Sequence, residues 1–142
     1  MTTLEVKSQI NLESALLLTG KEETCLSSVH CAYYSCFQLI LFYLDTKFSY
    51  DEEKRKREYD QYKKKFTGRR LLGSHEYWIN KFANELKGQN QATNAAIIDS
   101  NFRKLKEVRV EADYQQTDFT KRQTDAIYDN ALYTINLIKK SF

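Results

Sequence analysis

Proline is absent from the 142 residues, glycine occurs four times, cysteine three times and histidine twice. Such a chain is neither a collagen-like or polyproline fibre nor a loop-rich disulfide scaffold. No apolar run reaches the roughly 18 residues that a membrane-spanning helix needs, so no membrane partner is expected. The opening Met1-Thr2-Thr3-Leu4-Glu5-Val6-Lys7 has no basic stretch followed by an apolar one, and no signal peptide is expected. Reduced thiols and a cytoplasmic address fit these absences. Neither a glycine-rich phosphate loop nor a Ser-His-Asp set stands out, and no cofactor is expected. The formal net charge is +3, too small by itself to argue for nucleic acid.

What is present is material for one core. Leu, Ile, Val and Phe make up a quarter of the chain, and ten Tyr and one Trp add to them. That is too much apolar surface for a disordered tail, and the length suits a single domain over 1–142. The four glycines, Gly20, Gly68, Gly73 and Gly88, each follow a helical pattern or lie between two. They are expected to take the left-handed conformation that ends a helix.

Six helical segments follow from the periodicity. The first covers about 4–19, with Val6, Ile10 and Leu17 as its apolar face and Leu16 and Leu18 widening it. The second covers about 22–46. Leu26, Val29, Tyr33, Phe37, Ile40 and Leu44 repeat at three- and four-residue spacing, and Tyr34, Leu41 and Phe42 make other faces apolar as well. A helix apolar nearly all round belongs at the centre of a bundle. The third segment, about 50–67, is polar. The fourth, about 75–87, is expected to start after Ser74 as N-cap. The fifth, about 92–113, carries Ile98, Phe102, Leu105, Val108 and Ala112. The sixth, about 118–140, carries Ile127, Ala131, Ile135 and Ile138, and Thr120 with Gln123 could form a capping box at its start. No alternating strand pattern flanked by turns occurs. The expected fold is an all-α, up-and-down bundle of five or six helices.

Between residues 51 and 70 lie nine Lys or Arg against five Asp or Glu, interleaved with Tyr59, Tyr62 and Phe66. Bases with aromatics can neutralise phosphates and stack on nucleobases, which makes Lys54, Arg55, Lys63, Lys64, Lys65 and Arg69 candidates for RNA contact. The competing account is a solvated helix laced by i,i+4 pairs such as Glu53 with Arg57.

Two motifs carry a resemblance. The second segment contains Ala32-Tyr33-Tyr34 followed by Phe37, preceded by His30, and the fifth ends with Arg109, Ala112, Asp113 and Tyr114. These resemble the A-Y-Y-x-x-F and R-x-x-A-D-Y motifs of one branch of the HEPN superfamily, the nucleotide-binding domain of higher eukaryotes and prokaryotes. Ser74-His75 is similar to the hydroxyl–histidine pair that opens a middle helix there. The similarity covers roughly 12–45 and 73–140, with 46–72 as an insertion. It implies a HEPN-like bundle and a homodimer. It also implies a role in RNA, nucleotide or protein binding within a toxin–antitoxin or phage-defence system, with a nucleotidyltransferase as a possible partner. His30, Tyr33, Tyr34, Arg109, Asp113 and Tyr114 are the ligand-binding candidates it implies.

Ribonuclease members carry R-x(4–6)-H late in the bundle, but positions 114, 115 and 116 here are Tyr, Gln and Gln. The site where Tyr33 and Tyr34 meet Arg109 is therefore expected to lack an imidazole, and no catalytic residue is favoured. RNA cleavage without metal needs a group to take the 2′-hydroxyl proton, a task suited to His and not to Tyr. Arg109 has an alternative, structural role as a polar clamp paired with Asp113. One other pattern competes: Arg70-x4-His75-x-Tyr77 matches the R-x4-H-x-Y of HEPN toxins, which makes Arg70, His75 and Tyr77 the alternative catalytic set for a metal-independent endoribonuclease. Gly73 and Ser74 interrupt the helix that this set needs, leaving His75 partly exposed in a first turn. Cys25, Cys31 and Cys36 with His30 diverge around one helix and cannot converge on a metal ion.

Overall fold

The structure is a computed structural model that describes residues 3–19, 25–114 and 119–142. Every regular element among them is a helix: α1 (Thr3–Leu18), α2 (Cys25–Phe48), α3 (Glu52–Lys65), α4 (Ser74–Gly88), α5 (Ala92–Tyr114) and α6 (Lys121–Lys140). The all-α fold expected from the sequence is the one observed. Among these helices none is long and apolar enough to cross a membrane.

Helix α2 is the axis of the bundle and packs against α1, α4, α5 and α6. Its composition explains the place: Val29, Ala32, Tyr33, Cys36, Phe37, Leu39, Ile40 and Leu44 are all buried. Residues from α4, α5 and α6 complete the main core, chief among them Phe82, Leu86, Phe102, Leu105, Ala131 and Ile138. A smaller cluster of Val29, Ala112 and Phe119 closes the end of the bundle where α5 hands over to α6. Burial lifts the Cys36 thiol far above its ordinary pKa, so it is an inert apolar group, and it donates to the Ala131 carbonyl at 3.5 Å.

Helix α1 departs from the expected face. Val6, Ile10, Leu16 and Leu17 point outward, Leu17 with 78% of its surface exposed. The buried positions are Ser8 and Ala15. The Ser8 hydroxyl donates to the Ser35 carbonyl at 2.7 Å, the Ser35 hydroxyl donates back to the Ser8 carbonyl at 2.8 Å, and Ser28 donates to the Ala15 carbonyl at 2.8 Å. The pairs 8–35 and 15–28 run in opposite directions, so α1 and α2 form an antiparallel hairpin. Small side chains let the two backbones approach, and each buried hydroxyl finds an acceptor.

Local chemistry sets the helix ends. The Thr120–Gln123 capping box is present in full. Asp51 caps α3 by accepting from the Lys54 amide at 2.8 Å. Ser74 is not the cap of α4: it is the first helical residue, and Gly73 stands at the cap without a side-chain bond. No described glycine has positive φ. Among the described residues the left-handed positions are Ser49 after α2 and Asn90 after α4. Asn tolerates that conformation through its short polar side chain. Gly20 and the expected starts of the second and sixth segments lie outside the described residues.

Candidate functional site

Three helices bring one aromatic–cationic cluster together. Tyr33 of α2 is fully buried, so its hydroxyl needs a partner. It finds His75 of α4, with 3.0 Å between Oη and Nδ1. The His75 ring lies on Phe37 with centroids 4.1 Å apart. From α5, the Arg109 guanidinium carbon sits 4.7 Å from the centroid of the Tyr33 ring. Phe102 and Tyr34 meet the same ring edge-on at 5.7 and 5.3 Å.

Helical spacing explains each placement. Tyr33, Tyr34 and Phe37 fall on one side of α2. Phe102, Leu105 and Arg109 share the inward side of α5. His75 heads the inward stripe of α4, followed by Trp78, Ile79 and Phe82, all three buried. That last repeat was visible in the sequence as i, i+3, i+4, i+7 and is the signal that places His75 against the core. The expectation of a site without an imidazole is overturned: His75 of the same chain occupies it, reached from the middle of the sequence and not from beyond Arg109.

The electrostatics of the imidazole follow from its surroundings. Burial lowers the His75 pKa below 6.5, and the nearby positive charges of Arg109 and Lys106 lower it further. The ring is neutral at pH 7. Burial pushes the Tyr33 phenol up to about 12 despite the pull of Arg109, so it keeps its proton. A phenol is the better donor and an imidazole nitrogen the better acceptor, so Tyr33 Oη–H donates to His75 Nδ1. The ring proton then resides on Nε2. His75 thus offers an N–H, not a lone pair, at its remaining nitrogen.

An open cavity of about 420 Å³ is lined by Arg70, Arg103 and Lys106 together with Glu76, Glu107, Val110 and Glu111, of which Glu76 and Val110 are the chain neighbours of His75 and Arg109. Glu76 bridges two of the bases, at 3.1 Å to Arg70 and 3.5 Å to Lys106. Arg103 pairs with Asp99 at 3.0 Å. Lys106 and Glu76 belong to the surroundings of the site although neither motif names them. Lys106 lies one turn before Arg109 on α5, which is the feature that could have drawn attention to it.

The Arg70-x4-His75-x-Tyr77 pattern is pulled apart. Arg70 is exposed on the segment before α4 and paired to Glu76. Tyr77 turns away from His75 and donates to Glu58 of α3 at 3.0 Å. Only His75 of the three joins the cluster. His30 is half-buried on α2, one turn before Tyr33. The side chains of Asp113, Tyr114 and Cys25 lie outside the described residues. Among the described residues, no group of three His, Cys, Asp or Glu side chains could hold a metal ion.

The proposed RNA contacts divide. Arg55 is buried, and its Nη1 donates to the Tyr50 carbonyl at 2.7 Å, so it fastens α3 to the end of α2 and is not a surface contact. Lys54 lies over the Tyr50 ring at 4.3 Å. Lys63 pairs with Asp60 at 3.5 Å and covers the Tyr59 ring at 5.1 Å. Lys63, Lys64, Lys65 and Arg69 are exposed.

No known family model, curated protein or solved structure matches the chain. Likeness to HEPN domains therefore stands on the motif residues alone.

Proposed function

We propose that this chain is a HEPN-like RNA-binding module that holds a phosphate of RNA at the Arg109–Tyr33–His75 cluster without cleaving it. The observation that carries the proposal is the 3.0 Å hydrogen bond between Tyr33 Oη and His75 Nδ1, in which the phenol is assigned as donor. It occupies the lone pair a general base would need and leaves an Nε2–H to donate. Arg109 and Lys106 are both near enough to His75 to lower its pKa, which puts two cationic groups next to that donor. A neutral N–H donor, a guanidinium and an ammonium together suit a phosphate oxygen better than they suit proton abstraction.

The test is direct. Labelled single-stranded RNA is incubated with protein in EDTA at pH 7 and followed by both polarisation and gel. Binding that weakens steeply with salt is expected, with the RNA intact. His75→Ala should bind more weakly and change nothing on the gel. Cleavage by the wild type that disappears in His75→Ala would establish the endoribonuclease instead. One observation favours that second reading: an imidazole does lie beside an arginine. It would require Tyr33 to release Nδ1.

The resemblance also carries the proposal of a homodimer, acting in a toxin–antitoxin or phage-defence system with a nucleotidyltransferase as partner. The exposed Ile10 and Leu17 on α1 supply apolar surface for self-association. Wild-type protein is expected to sediment as a dimer and Leu17→Glu as a monomer. A monomeric wild type would refute the homodimer.

A further inference from the structure

Helix α3 and the segment after it form a second feature that the cluster does not use. From Gln61 to Leu72 there are five cations, Lys63, Lys64, Lys65, Arg69 and Arg70, and no acid. All five are exposed. Alongside them is an open groove of about 540 Å³ with Tyr62, Phe66 and Tyr77 in its wall and Gln61, Lys65 and Thr67 among its polar lining. Glu58 also lines it, but its carboxylate already accepts from Tyr77 and lies 3.5 Å from the Lys81 ammonium.

The groove is held in shape by its own residues together with Tyr59 and Leu72. Tyr59 Oη donates to the Leu72 carbonyl at 2.8 Å, and Tyr62 Oη accepts from the Leu72 amide at 3.1 Å. Leu72 is thus held through both its backbone N–H and its C=O, which ties the segment leading into α4 back onto α3. The rings of Tyr62 and Tyr77 are 4.7 Å apart and those of Tyr62 and Phe66 5.6 Å. Phe66 lies against the bare backbone of Gly68: a Cβ built there would come within 2.9 Å of its ring. The Phe66 ring nonetheless remains half-exposed.

The same segment joins this groove to the first site. Thr67 and Gly68 line the groove, and Arg70, at most about 7 Å of chain further on, lines the cavity walled by Glu76 and Val110, the chain neighbours of His75 and Arg109. We infer that the ligand is a single strand of RNA, with a base stacked on Phe66 and Tyr62 and the backbone passing along Lys65 and Arg70 towards the Arg109 cluster. Stacking needs an unpaired base, because a duplex buries its π-faces. The acid-free run of cations supplies charge complementarity to the strand. The inference rests on the RNA-binding role proposed above.

The experiment uses a 12-nucleotide RNA containing 2-aminopurine, alone and annealed to its complement. Binding of the single strand should quench the 2-aminopurine fluorescence and be at least about tenfold tighter than binding of the duplex. Phe66→Leu keeps the apolar contact but removes the π-face. It should weaken the single strand by about 5- to 150-fold, the range of one lost stack, abolish the quench and leave the duplex unchanged. Gly68→Ala forces the ring off the backbone without removing an aromatic or a charge, and should alter the quench on its own. Equal affinity for single strand and duplex, or Phe66→Leu indistinguishable from wild type, would overturn the inference. So would equally effective displacement by polyglutamate, which would identify an acidic peptide surface. If Phe66→Leu fails to matter while Arg109→Gln still weakens RNA, the phosphate site stands and only the groove falls. If wild-type protein binds neither form of RNA, the RNA-binding role itself falls.

Discussion

Arg109→Gln is expected to weaken RNA binding by about 10- to 150-fold, the loss of one charge-assisted contact of about 1.5–3 kcal/mol, and to raise the pKa of His75. Both follow from one position. The guanidinium lies over the Tyr33 ring, and its charge is the larger of the two that hold the imidazole proton affinity down. Removing it lets His75 move back towards 6.5, as an NMR titration of the ring proton would report. Arg109→Lys keeps the charge but loses the planar fork, so it should preserve the low His75 pKa while still weakening RNA. If Arg109→Gln left the His75 titration unmoved, the placement of the two groups would be wrong.

The sign of the pH dependence is fixed by the same shift. Between the folded pKa of His75 and 6.5, the unfolded chain binds more protons than the folded one. Folding stability therefore rises with pH across that window and is lost as pH falls from 6.5 through the folded value. A bound phosphate acts in the opposite direction, since its negative charge favours imidazolium. RNA affinity should tighten as pH falls through the pKa of His75 in the complex, and level off once the free protein is protonated as well. Arg109→Gln, with less shift to begin with, should show a narrower stability window.

The helices were legible because their signals are local. The stripe from Val29 to Leu44 placed α2 at the centre, and the Thr120–Gln123 box is where spacing put it. The site was half legible. Tyr33 and Arg109 come together as the motifs imply, but the ribonuclease motif looks for an imidazole four to six residues beyond Arg109, and the bundle supplies one from the middle of the chain. The inward repeat of His75 with Trp78, Ile79 and Phe82 was the better guide. Within one chain the R-x4-H-x-Y residues separate for a related reason: positions two apart on a helix point to different sides, so His75 faces Tyr33 while Tyr77 faces α3. Helix α1 departs from its apolar stripe because hydrophobicity does not mark its buried face. Its inward face is instead made of residues small enough for close approach, with hydroxyls that satisfy themselves on the partner backbone.

That construction makes Ser35→Leu the most damaging single change expected in the hairpin. Ser35 is fully buried and lies about 200° around α2 from Tyr33, on the side that receives α1. A leucine there has no space between the two backbones. Overpacking costs about 1–3 kcal/mol, and loss of the paired hydroxyl bonds adds about 1–3 kcal/mol. A total of about 2–6 kcal/mol is a large share of the stability of a domain this size. Ser35→Ala, which removes one hydroxyl without adding volume, should cost about 1 kcal/mol. Urea unfolding of the three proteins checks the order, and comparable midpoints for Ser35→Leu and Ser35→Ala would show that α1 does not pack closely there. Because α2 carries Ser35 on one side and Tyr33 and Phe37 on the other, loosening α1 should also loosen the seat of His75. RNA binding in Ser35→Leu should therefore be lost in the same urea range as helical signal. Binding that outlasted most of the helix would instead mean that α2, α4 and α5 hold the site without α1.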